Sequence, residues 1–170
     1  DVLQQIEHGA LTVVGGYRAL GRFYRGIISP TLRQYTHLGD FAAQTDNVVF
    51  DPRTASREAP PVGTGVLGSP DDRWVFTEQN PRRELGAAAG LAASARALRG
   101  YDEALAAECL AVAKSIWDTT DESAVPAPPW AKDRPSARIG LAVELLVTTG
   151  DRRYADHLVG QRDVIVKSIK

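Results

Sequence analysis

The sequence predicts an all-α fold, with helices in antiparallel pairs that form part of a toroid. Three observations carry this. Apolar residues fall three and four apart along the long regular stretches, the stripe of an amphipathic helix. Good capping residues open those stretches, and Gly100 and Gly150 close two of them. The paired unit also recurs, because the caps Asp102 and Asp151 stand 49 residues apart.

The first helix is expected over residues 2–20, where Leu3, Ile6, Ala10, Val13, Tyr17 and Leu20 share one face. Gly15, Gly16 and Gly21 weaken its end. Residues 22–79 then read as a loop-rich region, with the tract Pro60-Pro61-Val62-Gly63-Thr64-Gly65. Short apolar runs such as Val48-Val49-Phe50 suit brief strands there. So long an ordered connection in a compact domain is usually functional, which marks 22–79 as the substrate region. Order returns at Asn80-Pro81, a good N-cap followed by the residue favoured at the first helical position. A helix is expected over 81–99, stopped by Gly100, and a second over 103–117, capped by Asp102. That is an αα-hairpin with a short joint. Residues 118–134, with Pro126, Pro128, Pro129 and Trp130, read as a loop. A second hairpin follows, with helices over 136–149 and 152–168 joined at Gly150 and Asp151, the first of them carrying Ile139, Val143 and Leu146 on one face.

Tetratricopeptide repeats use similar small-residue helices at a period of about 34 residues. A spacing of 49 with a long Pro/Trp loop suits a toroid of hairpins better. In a toroid the long loops of one rim build the site, since the short joints have little to contribute.

Composition removes several function classes. The chain has 170 residues, 44% of them hydrophobic and 24% charged, which excludes wholesale disorder. A net charge of -1 leaves no electrostatic footprint for nucleic acid or an anionic membrane. Apolar runs fall well short of the ~20 residues that a bilayer span needs. The single cysteine, Cys109, excludes an internal disulfide and reads as a small buried hydrophobe on a helix face. The chain has no Met, opens at Asp1 within a helical pattern and shows no signal peptide. It is therefore expected to be a piece of a longer protein.

Four clusters carry candidate chemistry: Glu7-His8, the stretch from His37 to Pro52, Trp130 with Lys132 and Asp133, and Asp71 to Trp74 with Glu78. Glu7-His8 reads as a solvated helix face. His37 and Asp40 have a ligand-like spacing, yet two groups make no metal site. Asp46, Asn47 and Asp51 lack the roughly twelve-residue loop with a terminal Glu that an EF-hand needs, and capping of turns is the simpler role. Trp130, Lys132 and Asp133 sit in the Pro-rich loop. Asp71-Asp72-Arg73-Trp74 with Glu78 is different in kind. A loop Trp beside carboxylates and an Arg suits carbohydrate, with the indole on the apolar face of a pyranose and charged groups on its hydroxyls. The other role for the same Trp is a plug that fixes the loop to the helices.

These residues resemble the catalytic domain of glycoside hydrolase family 9, the endoglucanase-type cellulases, over most of the chain. Tyr35-Thr36-His37-Leu38-Gly39-Asp40 is similar to the family's Tyr-x-Gln-Val-Gly-Asp segment. Asp71-Asp72-Arg73-Trp74 with Glu78 resembles its Asp-His-x-Trp-Trp-x-x-x-Glu loop. Residues 91–117, LAASARALRGYDEALAAECLAVAKSIW, resemble its Ala-rich hairpin. Residues 143–154, VELLVTTGDRRY, resemble its Glu-Leu-Tyr-x-x-Thr-Gly-Asp-x-x-Tyr hairpin. All four come in the family's order. Three departures stand out: the loop His is missing, the step from Asp71 to Trp74 is one residue short, and residues 44–69 form an insert. They favour a β-glucan other than plain cellulose, or a decorated one.

The resemblance implies an (α/α)6 toroid, of which about five helices are present, and places 1–170 inside a single glycoside hydrolase catalytic domain. It implies cleavage of β-linked glucans by an inverting acid/base mechanism, whose two carboxyls stand roughly 6.5–9.5 Å apart. The Asp-Ala-Gly-Asp motif of the base and the Asn-Glu of the acid have no match here, and family order puts them before Asp1 and after Lys170. Adjacent carboxylates such as Asp71 and Asp72 cannot readily flank both faces of a sugar ring, so no catalytic residue is assigned and the segment alone is expected to be inert. It implies substrate contacts instead, with Trp74 stacking on a sugar and His37, Asp40, Asp72 and Arg73 bonding hydroxyls. No metal and no cofactor are expected. The implied partners are a β-glucan oligosaccharide or polysaccharide and the remaining portion of the same catalytic domain, with no nucleic acid and no membrane, in a secreted or periplasmic parent. Two other classes stay open: a non-enzymatic helical-repeat module that binds protein, and another (α/α)6 carbohydrate-active enzyme.

Overall fold

The computed structural model describes residues 1–28, 36–38, 73–75, 77, 79–125 and 136–169. The chain divides into two compact units, residues 1–14 with 79–170, and residues 15–78.

The first unit is helical. It holds the start of α1 (Val2–Leu20), then α2 (Pro81–Leu98), α3 (Glu103–Thr119), α4 (Ala137–Thr149), α5 (Arg152–Gly160) and α6 (Arg162–Ile169). Each hairpin begins as its capping residues dictate. The Asn80 side chain accepts from the Arg83 amide at 3.0 Å, with Pro81 at the first helical position. Asp102 accepts from Leu105 at 2.9 Å, Ser136 from Arg138 at 3.0 Å and Asp151 from Arg153 at 3.0 Å. The joints turn on Gly100 and Gly150, whose φ of 80° and 70° lie in the left-handed region that a Cβ disfavours.

Helix α2 packs most extensively on α3 and α4, and α4 packs in turn on α5. Its buried face alternates Leu85, Leu91 and Leu98 with Ala88, Ala92 and Ala95. Small side chains at a contact let helix axes approach closely. Cys109 and Ala113 from α3, Leu141, Ala142 and Leu145 from α4, and Tyr154 from α5 complete the core with no exposed surface. Polar groups join α2 to α4. The buried Thr148 hydroxyl donates to the Ala92 carbonyl at 3.0 Å and accepts from Arg96 at 2.8 Å, while Arg96 also reaches Glu144 at 2.9 Å. A buried hydroxyl satisfied in this way avoids the cost of an unpaired polar group.

One expected helix is two. The stretch predicted as 152–168 breaks after Gly160, where the Gln161 amide donates to the carbonyls of His157 and Leu158 at 3.1 Å each. Gly160 is the weakest helix former in the stretch, and α6 restarts when the Gln161 carbonyl accepts from Ile165 at 3.0 Å. Helix α3 runs two residues past its predicted end, to Thr119. A 3-10 turn at Glu122–Ala124 follows it.

The second unit holds the end of α1 and a small antiparallel sheet of β1 (Ile27–Ile28), β2 (Thr36–Leu38) and β3 (Arg73–Val75), in the order β1-β3-β2. Val75 is fully buried and Phe23 nearly so, and the Phe23 ring lies 5.3 Å from that of Tyr17. The Arg22 guanidinium donates to the Thr77 carbonyl at 2.8 Å. A Cβ on Gly16 would come within 2.3 Å of the Tyr24 ring, so this close approach requires glycine. The strands expected near Val48-Val49-Phe50 lie outside the described residues. Apart from this sheet, the regular structure among the described residues is helical, so the fold class is all-α.

Candidate functional site

The sheet brings together residues that are far apart in the sequence. Strand β3 is central, and its register pairs Trp74 with Ile28 on one side and with His37 on the other. Its other positions pair Val75 with Ile27 and Thr36, and Arg73 with Leu38. Successive positions of a strand lie on opposite sides of the pleat. Positions 28, 74 and 37 therefore share one side, and positions 73 and 75 share the other. On the second side Val75, at the end of β3, has no exposed surface, while its partner Ile27 is exposed.

Of the five residues expected to contact substrate, His37 and Trp74 occupy one register pair, and Arg73 stands at the first position of β3. Asp40 and Asp72 lie outside the described residues. So do Asp46, Asn47, Asp51, Asp71, Glu78, Trp130, Lys132 and Asp133. Ile28 joins the row without any sequence signal. Pairing across strands is non-local, and a two-residue strand shows no alternation of its own.

Glu7 and His8 have structural surroundings. The Glu7 carboxylate accepts from the Tyr101 hydroxyl at 3.0 Å, which raises the Tyr101 pKa. The His8 carbonyl accepts from Thr12 at 3.0 Å.

A second cluster closes the end of the first hairpin. The Trp117 ring meets Tyr154 and His157 edge-on at 5.1 and 4.9 Å, with the Arg138 guanidinium 5.0 Å over it. Arg138 donates to the Trp117 carbonyl at 2.7 Å and also to the Thr120 carbonyl, and it pairs with Glu122 at 3.4 Å. Ser136, the cap of α4, donates to Glu122 at 2.6 Å. Desolvation lowers the His157 pKa, the Arg138 charge lowers it further, and Glu122 opposes both. These groups satisfy one another, and their arrangement is that of a structural lock. An open groove of about 390 Å³ lies elsewhere in the unit, lined by Ile6, Ala93, Ser94, Arg96 and Ala97.

No protein-family model and no curated protein matches the sequence. Among solved structures, the chain is similar to a metagenome-derived glycoside hydrolase family 9 endoglucanase, at 20% identity and a TM-score of 0.55. The likeness covers 96% of this chain and 26% of that one, so the chain spans about a quarter of that enzyme's length. At this identity the likeness shows the fold, and the order of helices is that of a partial helical toroid. No described helix is long and apolar enough to cross a membrane.

Proposed function

We propose that the chain is a segment of a single glycoside hydrolase catalytic domain, and that it supplies substrate contacts for the cleavage of β-linked glucans. One observation carries this. The register sets Trp74 opposite His37, joining the two motif-bearing segments in a chain whose fold resembles that of a family 9 endoglucanase. An indole offers an apolar platform to the C–H face of a pyranose, and an imidazole beside it both donates to and accepts from hydroxyls. Asp40 and Asp72 bond further hydroxyls, and Arg73 serves the sugar chain from the end of β3. The reaction is inverting, with a general acid at the leaving oxygen and a base that activates water on the opposite face. Both carboxyls come from the remaining portion of the catalytic domain. No metal or cofactor takes part, and the parent acts on polysaccharide outside the cytoplasm.

The helical-repeat reading draws on one feature, the exposed Val143 and Val147 on α4, since repeat modules bind partners along helix faces. The two readings part in one experiment, with the 170-residue chain run on native gels containing soluble β-glucan and assayed on the same glucan and a chromogenic β-glucoside. Retardation by the glucan without turnover is expected. Turnover abolished by Asp40→Asn or Asp72→Asn would move catalysis into this segment. Migration indifferent to every β-glucan would favour the repeat module.

A further inference from the structure

We infer that Gly15-Gly16 is a joint in α1, at which the helix bends and lets residues 15–78 turn as one body, whether or not the chain binds a glucan. Three observations meet at this pair. Helix α1 is unbroken over Val2–Leu20, yet its residues up to Val14 belong to the helical unit and those from Gly15 onward to the other. The crossing therefore falls inside a helix, and it falls on the one pair of adjacent glycines in the sequence. Glycine leaves a helix backbone freer than any other residue does, and sharp bends collect at such pairs. Next, the two glycines have different reasons to be there. Gly16 is fixed by packing, since a Cβ on it would run into the Tyr24 ring. Gly15 is not, because a Cβ on it would meet no atom within 4 Å and its φ is not positive. Last, the chain is held on both sides of the pair. Before it, Ala10 and Val14 are buried and Glu7 accepts from Tyr101 at 3.0 Å. Beyond it, Phe23 is buried against Tyr17, and Arg22 donates to the Thr77 carbonyl at 2.8 Å. The chain returns to the helical unit at Gln79, an exposed residue outside any helix or strand. The bond from Arg22 to Thr77 thus ties the two crossing segments together, and they turn as one. A few small residues at the edge of a rigid element are the usual make of a hinge.

Electron–electron double resonance between spin labels at Gln5→Cys and Arg18→Cys, two exposed positions of α1, tests this in the 170-residue chain. The native Cys109 is buried and stays unlabelled. A straight helix sets the two positions about 20 Å apart, at about 1.5 Å per residue. The chain with Gly15 intact is expected to give a broad distribution of distances that reaches below this value. Gly15→Ala, which has room for its methyl group, is expected to narrow the distribution onto about 20 Å. Gly9→Ala is the control, because Gly9 also has no atom within 4 Å of a Cβ and lies on the same helix between the labels, away from the crossing. It should leave the breadth unchanged. Amide exchange over residues 15–20 should also slow roughly fivefold in Gly15→Ala, the alanine-over-glycine helix preference read as an opening equilibrium. Far-UV circular dichroism of each variant checks the helix content. A distribution already as narrow with Gly15 as with alanine would overturn the joint. Equal narrowing by Gly9→Ala would overturn it too, since the bend would then belong to the whole helix.

Discussion

Arg138 shows how one side chain can hold several elements at once. It caps the carbonyls of Trp117 and Thr120, pairs with Glu122 and covers the Trp117 ring, against which His157 packs. His157 is consequently disposed to stay neutral, because burial and the nearby guanidinium both disfavour its charge. Its folded pKa lies below the unfolded value of about 6.5, so on acidification the unfolded chain takes up the proton first. Stability is then lost as the pH falls from near 6.5 toward the folded value, and the loss levels off below it. Thermal midpoints measured from pH 8 to pH 5 should fall less steeply in His157→Gln than in the wild type, and equal slopes would refute the assignment. Cys109 behaves differently, since burial pushes its thiol up to about 11. A disulfide-exchange reagent at pH 8 should therefore label it only as fast as the protein opens, and at once in denaturant. Prompt labelling of the native chain would contradict the burial. Residue identity alone revealed the caps Asn80, Asp102 and Asp151, whose side chains act on amides two or three positions away, whereas Ser136, expected as the first residue of its helix, caps it instead. It did not reveal that Trp74 faces His37 across a strand pair, because nothing local records which strands will meet.

At the scale of elements, the helices were legible where a cap and a glycine stop agreed, as in α2. On α4 the expected face of Ile139, Val143 and Leu146 is not the buried one, which is formed by Leu141, Ala142, Leu145 and Thr148. The break between α5 and α6 was not legible. Apolar residues resume beyond it at Val164-Ile165-Val166, and the Gln161 amide that ends α5 is bonded by geometry rather than by residue type. The strands of the sheet are two or three residues long, too short for alternation to register. Packing follows from the legible part. Leu145 is fully buried between helices that meet through alanines, so Leu145→Ala should cost about 2–5 kcal/mol in denaturant unfolding. Val147, two positions on and 61% exposed, should change stability by no more than about 0.5 kcal/mol on the same substitution. Similar losses at the two positions would mean that the outer face of α4 is covered after all.

For the molecule as a whole, the paired helices and their interval pointed to a partial toroid, and the likeness to a family 9 endoglucanase agrees with that fold. Exposed Val143 and Val147 on α4, with Val2 and Leu11 on α1, are the apolar surface that the remaining portion of a catalytic domain would cover under the proposed function. Of the proposed site only residue types were legible in the sequence, not their arrangement, and Asp40 and Asp72 stand outside the described residues. Under the proposed function, Trp74 is the residue that joins fold to function. The chain has three Trp residues, and Trp117 sits within the lock of the first hairpin. Labelling with 5-fluorotryptophan gives each its own fluorine resonance, assignable by single Trp→Phe substitutions. Titration with soluble β-glucan oligosaccharides should shift the Trp74 resonance saturably and leave that of Trp117 in place. A Trp74 resonance that stays fixed at millimolar ligand would contradict a sugar-binding role for this segment.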